Sequence, residues 1–367
     1  MNSKSIERIR QIKLAKKRRK KRLKRKILRN SKFLYKKRDP FIKKKKALRN
    51  YQKRRKKKQY TSLVAPANFS FLSNPHETSN YFANIQNTSD RGEPVFLDLQ
   101  NIEALTIEAL MYILAWMDYR NSRNQMGILG GNAPKNPEMK RIFEESGFLD
   151  HVKHDEMKSI GKLSFNKAFF RIISGHTNSQ TVITQVIDYT IDCLELEGLI
   201  ATKKLYQIIS EMMGNAVEHA YTSVQSKKNK WYLIAHFDMK NNQVNFAFID
   251  NGETIPKTIA KKRLEKFTEL ISNKTGLGKR LDCKLINYAL RKNSGRSRTL
   301  QSNRGKGLPA LQKCSDNKEI CNLILVSRNA HIDLARRKHM VLDNAFKGTL
   351  YSWSFQKKGN GYENSND

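Results

Sequence analysis

The stretch "EMMGNAVEHAY", residues 211–221, sets a carboxylate, Glu211, and a carboxamide, Asn215, four positions apart. On a helix that spacing projects both side chains from one face, one turn above the other. The helix itself is announced by Leu205, Ile208, Ile209, Met212, Met213, Ala216 and Val217, an apolar stripe at i, i+3 and i+4. Taken alone, such a polar pair is by default the solvated side of a packed helix. His219 follows on the same segment, but no second His or Cys stands at ligand spacing, so it reads as a structural residue at the helix end.

Further along, the hairpin "KWYLIAHFDMKNNQVNFAFIDNG" carries an apolar run, a "KNN" turn and a second strand that ends at Asp250 and opens "DNGETIP". A strand-end Asp is common as a turn residue. In "NSGRSRTLQSNRGKGLPALQKC" the run Arg304, Gly305, Lys306, Gly307 leads into a helix. Glycines before a helix start make an anion site, because free backbone N–H groups and the positive helix end face the loop. Arg296 and Arg298 in "SGRSR" read equally as a lid or as a solvated basic face, whereas "KTGLGK" at 274–279 has neither the spacing nor the preceding strand of a phosphate loop. "NLILVSRN" and "HIDLARR" read as strands, and "KGTLYSWSF", with Thr349, as the last one.

A helix with Glu and Asn, a strand ending in Asp-x-Gly, a long intervening segment, a glycine pair at a helix start and a closing Gly-Thr strand follow one another in this order. The order resembles the GHKL (Bergerat-type) ATP-binding fold of gyrase, histidine kinases, MutL and the heat-shock chaperone, over residues 165–357. "EMMGNAVEHAY" is most similar to the corresponding helix of anti-sigma-factor serine kinases, Glu-x-x-x-Asn-x-x-x-His-x-Tyr. The resemblance implies that Asn215 coordinates Mg²⁺, which wants hard oxygen ligands beside phosphates, and that Glu211 is the general base for an attacking hydroxyl or water. It implies that Asp250 accepts a hydrogen bond from the exocyclic amine of adenine, that Gly252 lets the backbone approach the ring, and that Thr349 helps hold the base. Gly305 and Gly307 would bring N–H groups to the phosphates, with Lys306 or Arg304 as charge clamp. Thr254 stands where the family's second glycine is usual.

Upstream, "PVFLDLQ" is a buried strand, "IEALTIEALMYILAWMDYRN" an amphipathic helix, "QMGILGGNAP" a strand with its turn, and "NPEMKRIFEESGFLDHV" a helix capped by Asn136 and begun by Pro137. Strand, helix, strand, helix with short connections predicts a small α/β layer of parallel strands. Residues 90–157 resemble a STAS domain, the fold of anti-sigma-factor antagonists and sulfate-transporter tails. Where regulated members carry an Asp beside a phosphorylated hydroxyl, this chain has "ALTIEAL", with Thr106 near the Asp position and Ile107 and Glu108 near the hydroxyl positions. The implied role is a scaffold or docking unit.

The chain has 367 residues and a net charge of +38, concentrated before Tyr60, where Glu7 and Asp39 are the only acids. That arm, residues 1–60, reads as a nucleic-acid-binding segment, since each Lys or Arg that meets a phosphate releases counterions; a solubility tail or an anionic membrane surface are its competitors. Residues 61–89, rich in Ser, Asn and Pro, read as a linker, and 358–367 as a polar tail. Four dispersed cysteines fit a reducing compartment, and no stretch reaches the roughly 18–20 apolar residues of a membrane span, so the expectation is a cytoplasmic, soluble protein. The expected fold is α/β: a basic arm, a small STAS-like domain and a GHKL two-layer α/β sandwich. The expected function is that of a Mg²⁺- and ATP-binding regulatory protein, a Ser/Thr kinase of the partner-switching kind acting on a phosphoacceptor or STAS partner. The alternative is an ATP-driven, nucleic-acid-associated ATPase switch. Such domains often work as dimers, so a homodimer is an open expectation with no residue pattern to mark its face.

Overall fold

The apolar alternation of five long strands fixes the architecture, since each presents large side chains to both sides. The structure is a computed structural model that describes residues 60–121, 128–153, 168–196, 199–217, 230–262, 278–291, 307–316 and 320–357. The central sheet contains β6 (Phe169–Gly175), β7 (Trp231–Asp238), β8 (Gln243–Asp250), β9 (Cys321–Asp333) and β10 (Lys338–Gln356), in the order β6-β7-β8-β10-β9. Its neighbours all run antiparallel. The predicted "KNN" turn joins β7 to β8, with Asp238 accepting from the N–H groups of Lys240 and Asn241 and Asn242 taking a positive φ.

One face of this sheet packs on α5 (Gln180–Leu194), α6 (Leu199–Asn215), α8 (Gly278–Leu290) and α9 (Gly307–Asp316). The stripe read from the sequence does this work: Leu205, Ile208, Ile209, Met212, Met213 and Ala216 are all buried against Leu233, Phe246, Phe248, Tyr351 and other sheet residues. A further helix, α7 (Ile255–Lys262), follows β8. Ser179 caps α5 by accepting from the N–H of Val182.

The opposite face, with Tyr232, Ile234, Ala247, Ile249, Val326 and Leu350, is covered by the N-terminal segment. There a parallel sheet runs β1 (Thr61–Val64), β3 (Val95–Asp98), β5 (Ile128–Gly131) in that spatial order. A second parallel pair joins β2 (Asn68–Phe69) to β4 (Ala104–Leu105). Helices α1 (Pro75–Asp90), α2 (Ile107–Asn121), α3 (Pro137–Glu145) and α4 (Phe148–Lys153) complete it. As the sequence predicts, Asn136 caps α3, accepting from the N–H groups of Glu138 and Met139, with Pro137 in its first turn.

The sequence reading of 61–89 as a linker is corrected: these residues form β1, β2 and most of α1. The Ser and Asn content lies on the helix alongside Tyr81, Phe82 and Ile85, which are buried. β1 pairs with β3 from Thr61–Val95 to Val64–Asp98, so the small sheet depends on the supposed linker. "NLILVSRN" and the first three residues of "HIDLARR" fall on one strand, β9, the rest of "HIDLARR" is the turn into β10, and "KGTLYSWSF" is the second half of β10. The basic arm before Tyr60 and the tail from 358 lie outside the described residues. Among the described residues, no helix is long and apolar enough to cross a membrane.

The N-terminal cover and the sheet share one core. Phe71 touches Phe82, Tyr112 and Phe346, the Tyr112 and Phe346 rings stack at 3.9 Å, and the Tyr112 hydroxyl accepts from the N–H of Lys347 at 2.8 Å. Phe71→Ala removes a fully buried ring at this junction and is expected to cost about 3–5 kcal/mol. Urea unfolding followed by tryptophan fluorescence and by far-UV dichroism should show one coincident transition, shifted to lower urea in the variant. Two separate transitions would contradict a shared core.

Candidate functional site

Asp250 ends β8, where the sheet gives way to the loop that opens α7. Thr349 stands directly opposite it on β10. The approach is so close that a Cβ on Gly348, which has φ +82°, would lie 1.8 Å from the Asp250 carbonyl oxygen. Only glycine serves there, both for its left-handed backbone and for the lack of space. The Asp250 side chain is 4% exposed, and its Oδ1 accepts from the N–H of Gly252 at 2.9 Å. This closes a turn, and the Thr349 hydroxyl also bonds to the carboxyl. Burial pushes the Asp250 carboxyl up to about 7, against the smaller opposing help of the Gly252 N–H and the Thr349 hydroxyl.

Glu211 and Asn215 come to the same face of α6, as their spacing requires, and the first residue of α9 meets them. A Cβ on Gly307 would lie 2.7 Å from Glu211 Oε2 and 3.2 Å from either terminal atom of Asn215. The missing side chain of Gly307 therefore lets a helix N-terminus, the positive end of the helix dipole, close on a carboxylate and a carboxamide. Tyr351, two residues beyond Thr349 on β10, ties the two halves together. Its buried hydroxyl lies beside the Asn215 amide and within electrostatic reach of Asp250. Burial first, and then the nearby Asp250, hold that phenol neutral well above its ordinary range.

Among the described residues, the buried Asn251 Nδ2 and Thr254 Oγ1 have no hydrogen-bond partner here, and Asn215 Nδ2 has none beyond the neighbouring Tyr351 hydroxyl. Orphaned groups of this kind are costly and mark places where a polar ligand fits. Among the described residues no group of three or more His, Cys, Asp or Glu could hold a metal ion. A cation in this site would take one carboxamide oxygen from the protein and the rest of its shell from phosphate and water, the arrangement Mg²⁺ tolerates best.

Of the residues singled out from the sequence, Glu211, Asn215 and Gly307 are brought together, as are Asp250, Gly252 and Thr349. Arg304, Gly305 and Lys306, with Arg296, Arg298 and His219, lie outside the described residues. The sequence reading missed Tyr351 and Ser327. Tyr351 was signalled by its i+2 relation to Thr349, which places it on the same sheet face. Ser327 is a lone hydroxyl within the apolar run of "NLILVSRN".

Residues 201–309 match the family model described as histidine kinase-, DNA gyrase B-, and HSP90-like ATPase. The matched span, over which the chain is similar to GHKL-type ATPases, runs from α6 into the first turn of α9 and includes Glu211, Asn215, Asp250, Gly252 and Gly307. Thr349 and the last two strands follow that span. No curated protein matches the chain.

The raised pKa of Asp250 has a definite sign in stability. The unfolded carboxyl ionises near 3.8 and the folded one near 7, so stability from this group is full below the lower value and is lost as pH rises through the upper one. Asp250→Asn keeps an oxygen for the Gly252 N–H and cannot ionise. In guanidinium titrations of ligand-free protein it should be more stable than the wild type at pH 8, on the order of a few kcal/mol, with the gap closing toward pH 4. An equal gap at both pH values would contradict the buried, proton-holding carboxyl.

Proposed function

We propose that this protein binds Mg²⁺–ATP between α6, α9 and the β8–β10 ladder and passes the γ-phosphoryl group to a hydroxyl of another protein, as a Ser/Thr kinase of the partner-switching kind. The observation that carries the reading is the seating of Gly307 against Glu211 and Asn215. It sets an anion-binding helix end beside a carboxylate able to take a proton and a carboxamide able to hold a cation.

In this reading Asp250 receives the exocyclic amine of adenine, and its cost of ionisation in a dry pocket is offset by that donor and by Thr349. The Gly307 end of α9 supplies N–H groups to the phosphates, joined by Arg304, Gly305 and Lys306 from the segment before it. Asn215 offers its side-chain oxygen to Mg²⁺, which when bound neutralises charge on the phosphate oxygens. Glu211 accepts the proton of the attacking hydroxyl. If that hydroxyl belongs to water, the same residues make an ATPase, the chemistry of the alternative ATP-driven switch that would engage nucleic acid through residues 1–60.

The N-terminal segment fits a STAS-like docking unit in which self-phosphorylation is disfavoured. Thr106 donates its hydroxyl to Glu108, and Glu108 also accepts from Ser70 Oγ at 3.3 Å. Glu108 is buried, and burial holds its carboxyl above the ordinary range. A hydroxyl bonded into such a network is a poor phosphoryl acceptor, which supports an acceptor on a separate chain. A cytoplasmic site of action and a homodimer belong to the same reading.

The test follows γ-labelled ATP with the full-length protein, Mg²⁺ and a lysate of the source cells, scoring label on protein against free phosphate. Label on a discrete protein band is expected. Glu211→Gln should cut transfer by about a hundredfold or more while leaving nucleotide binding within about threefold of wild type. Asn215→Ala should remove the Mg²⁺ dependence of binding. Free phosphate without labelled protein would replace the kinase by the ATPase switch, and absence of nucleotide binding would overturn both.

A further inference from the structure

Ser327, fully buried on β9, touches three elements at once through one oxygen. Its Oγ donates to the Gly348 carbonyl at 3.2 Å, accepts from the N–H of Ile255 at 3.1 Å, and lies 3.2 Å from Thr349 Oγ1. These are the two residues that face Asp250 across the ladder and the first residue of α7. The register places Ser327 opposite Thr349, at the point where the β9–β10 pairing shifts and Gly348 turns through positive φ. Just before Ile255 stands Thr254, whose buried hydroxyl has no partner among the described residues.

A serine hydroxyl has one proton and two acceptor sites. The Ile255 N–H occupies one acceptor site, so the proton and the remaining lone pair are shared between the Gly348 carbonyl and the Thr349 hydroxyl. When Ser327 donates to Gly348, Thr349 can bond to Ser327 only as the donor and then turns only lone pairs to the pocket. When Ser327 donates to Thr349, the Thr349 proton is released toward Asp250 or a ligand. The direction of the Thr349 hydroxyl is thus set from behind, by a residue with no access to the pocket.

We propose that Ser327 is a positioning residue for purine recognition: by orienting the Thr349 hydroxyl beside Asp250, it makes the pocket prefer a 6-amino purine over a 6-oxo purine. The inference rests on the nucleotide-binding reading above and deepens it. Adenine presents an amino donor and a ring-nitrogen acceptor, and hypoxanthine presents a carbonyl and a ring N–H. The carboxylate alone favours the amine over the carbonyl, and a steered hydroxyl sharpens the separation, because a mismatched polar group in a dry site goes unpaired.

The experiment is calorimetric titration of the full-length protein with Mg²⁺–ATP and Mg²⁺–ITP, in wild type, Ser327→Ala, Thr349→Val and the double variant. Wild type should prefer ATP. Ser327→Ala should reduce the ATP-to-ITP affinity ratio by about fivefold or more, mostly through weaker ATP binding. In the Thr349→Val background the same change should move the ratio by less than about twofold, because the group through which Ser327 acts is gone. Thermal unfolding without ligand reports packing loss separately. If Ser327→Ala does not fold, Ser327→Cys, of similar size and a weak donor, should lower the ratio in the same way. Equal weakening of both nucleotides, or an undiminished effect in the Thr349→Val background, would overturn the positioning role and leave nucleotide binding intact. A wild type indifferent to the base would overturn this inference alone, and a wild type that binds neither nucleotide would overturn the nucleotide reading together with it.

Discussion

A five-stranded antiparallel sheet with large apolar side chains on both faces cannot stand with one side in water, and the rest of this molecule follows from that constraint. Trp231, Leu233, Phe246, Phe248 and Trp353 turn to the α5, α6, α8 and α9 side, while Tyr232, Ile234, Ala247, Ile249 and Leu350 turn to the other. Each buried aromatic or branched side chain contributes about 1.5–3 kcal/mol by leaving water, so neither face is optional. The N-terminal segment is therefore the second layer of the sheet, and its aromatic junction with Phe346 is part of the fold that carries the site.

The site lies where this sheet ends, and its chemistry depends on dryness. A carboxylate as buried as Asp250 holds its proton near neutrality, so the ligand-free protein keeps there a group that works against stability once ionised. The same low-dielectric surroundings that penalise the charge also strengthen any hydrogen bond it receives. Tyr351, whose hydroxyl lies near both Asp250 and Asn215, stays neutral and adds no charge.

Much of this was legible in the sequence, for physical reasons that differ by residue. The α6 stripe was readable because a 3.6-residue period leaves an unmistakable pattern, and Glu211 and Asn215 were fixed to one face by the same arithmetic. Asp250 was readable as the end of a hairpin strand. What stayed hidden was non-local. Nothing in "KGTLYSWSF" tells that Gly348 presses on the Asp250 carbonyl, because the β8–β10 register sets that contact. Ser327 is one hydroxyl in an apolar strand until its partners are known. The segment 61–89 was misread because Ser and Asn dominate its composition, while the fewer aromatic residues decide its burial. The arm before Tyr60 was read from charge alone, and charge carries information about partners and little about fold.

The N-terminal layer also reaches the edge of the site by a short, identifiable route. Asp118 on α2 pairs with Lys230 Nζ at 3.2 Å and accepts from the Tyr232 hydroxyl. The main chain of Lys230 in turn bonds Asn251 twice: its N–H donates to the side-chain Oδ1 at 2.7 Å, and its carbonyl accepts from the Asn251 N–H at 3.1 Å. Asn251 adjoins Asp250. The magnitudes decide which part of this route matters. An ion pair whose members are 27% and 36% exposed is worth roughly 0–1 kcal/mol and weakens further with salt. The two bonds to Asn251 are made at a residue that is 2% exposed, where an unpaired donor or acceptor costs about 1–3 kcal/mol. The position of the Asp250–Gly252 turn is therefore held by the start of β7 and by the packing of α2 behind it, and the surface charge of Lys230 adds little. In this fold the geometry of the Asp250–Gly252 turn is inherited from the layer on the far side of the sheet.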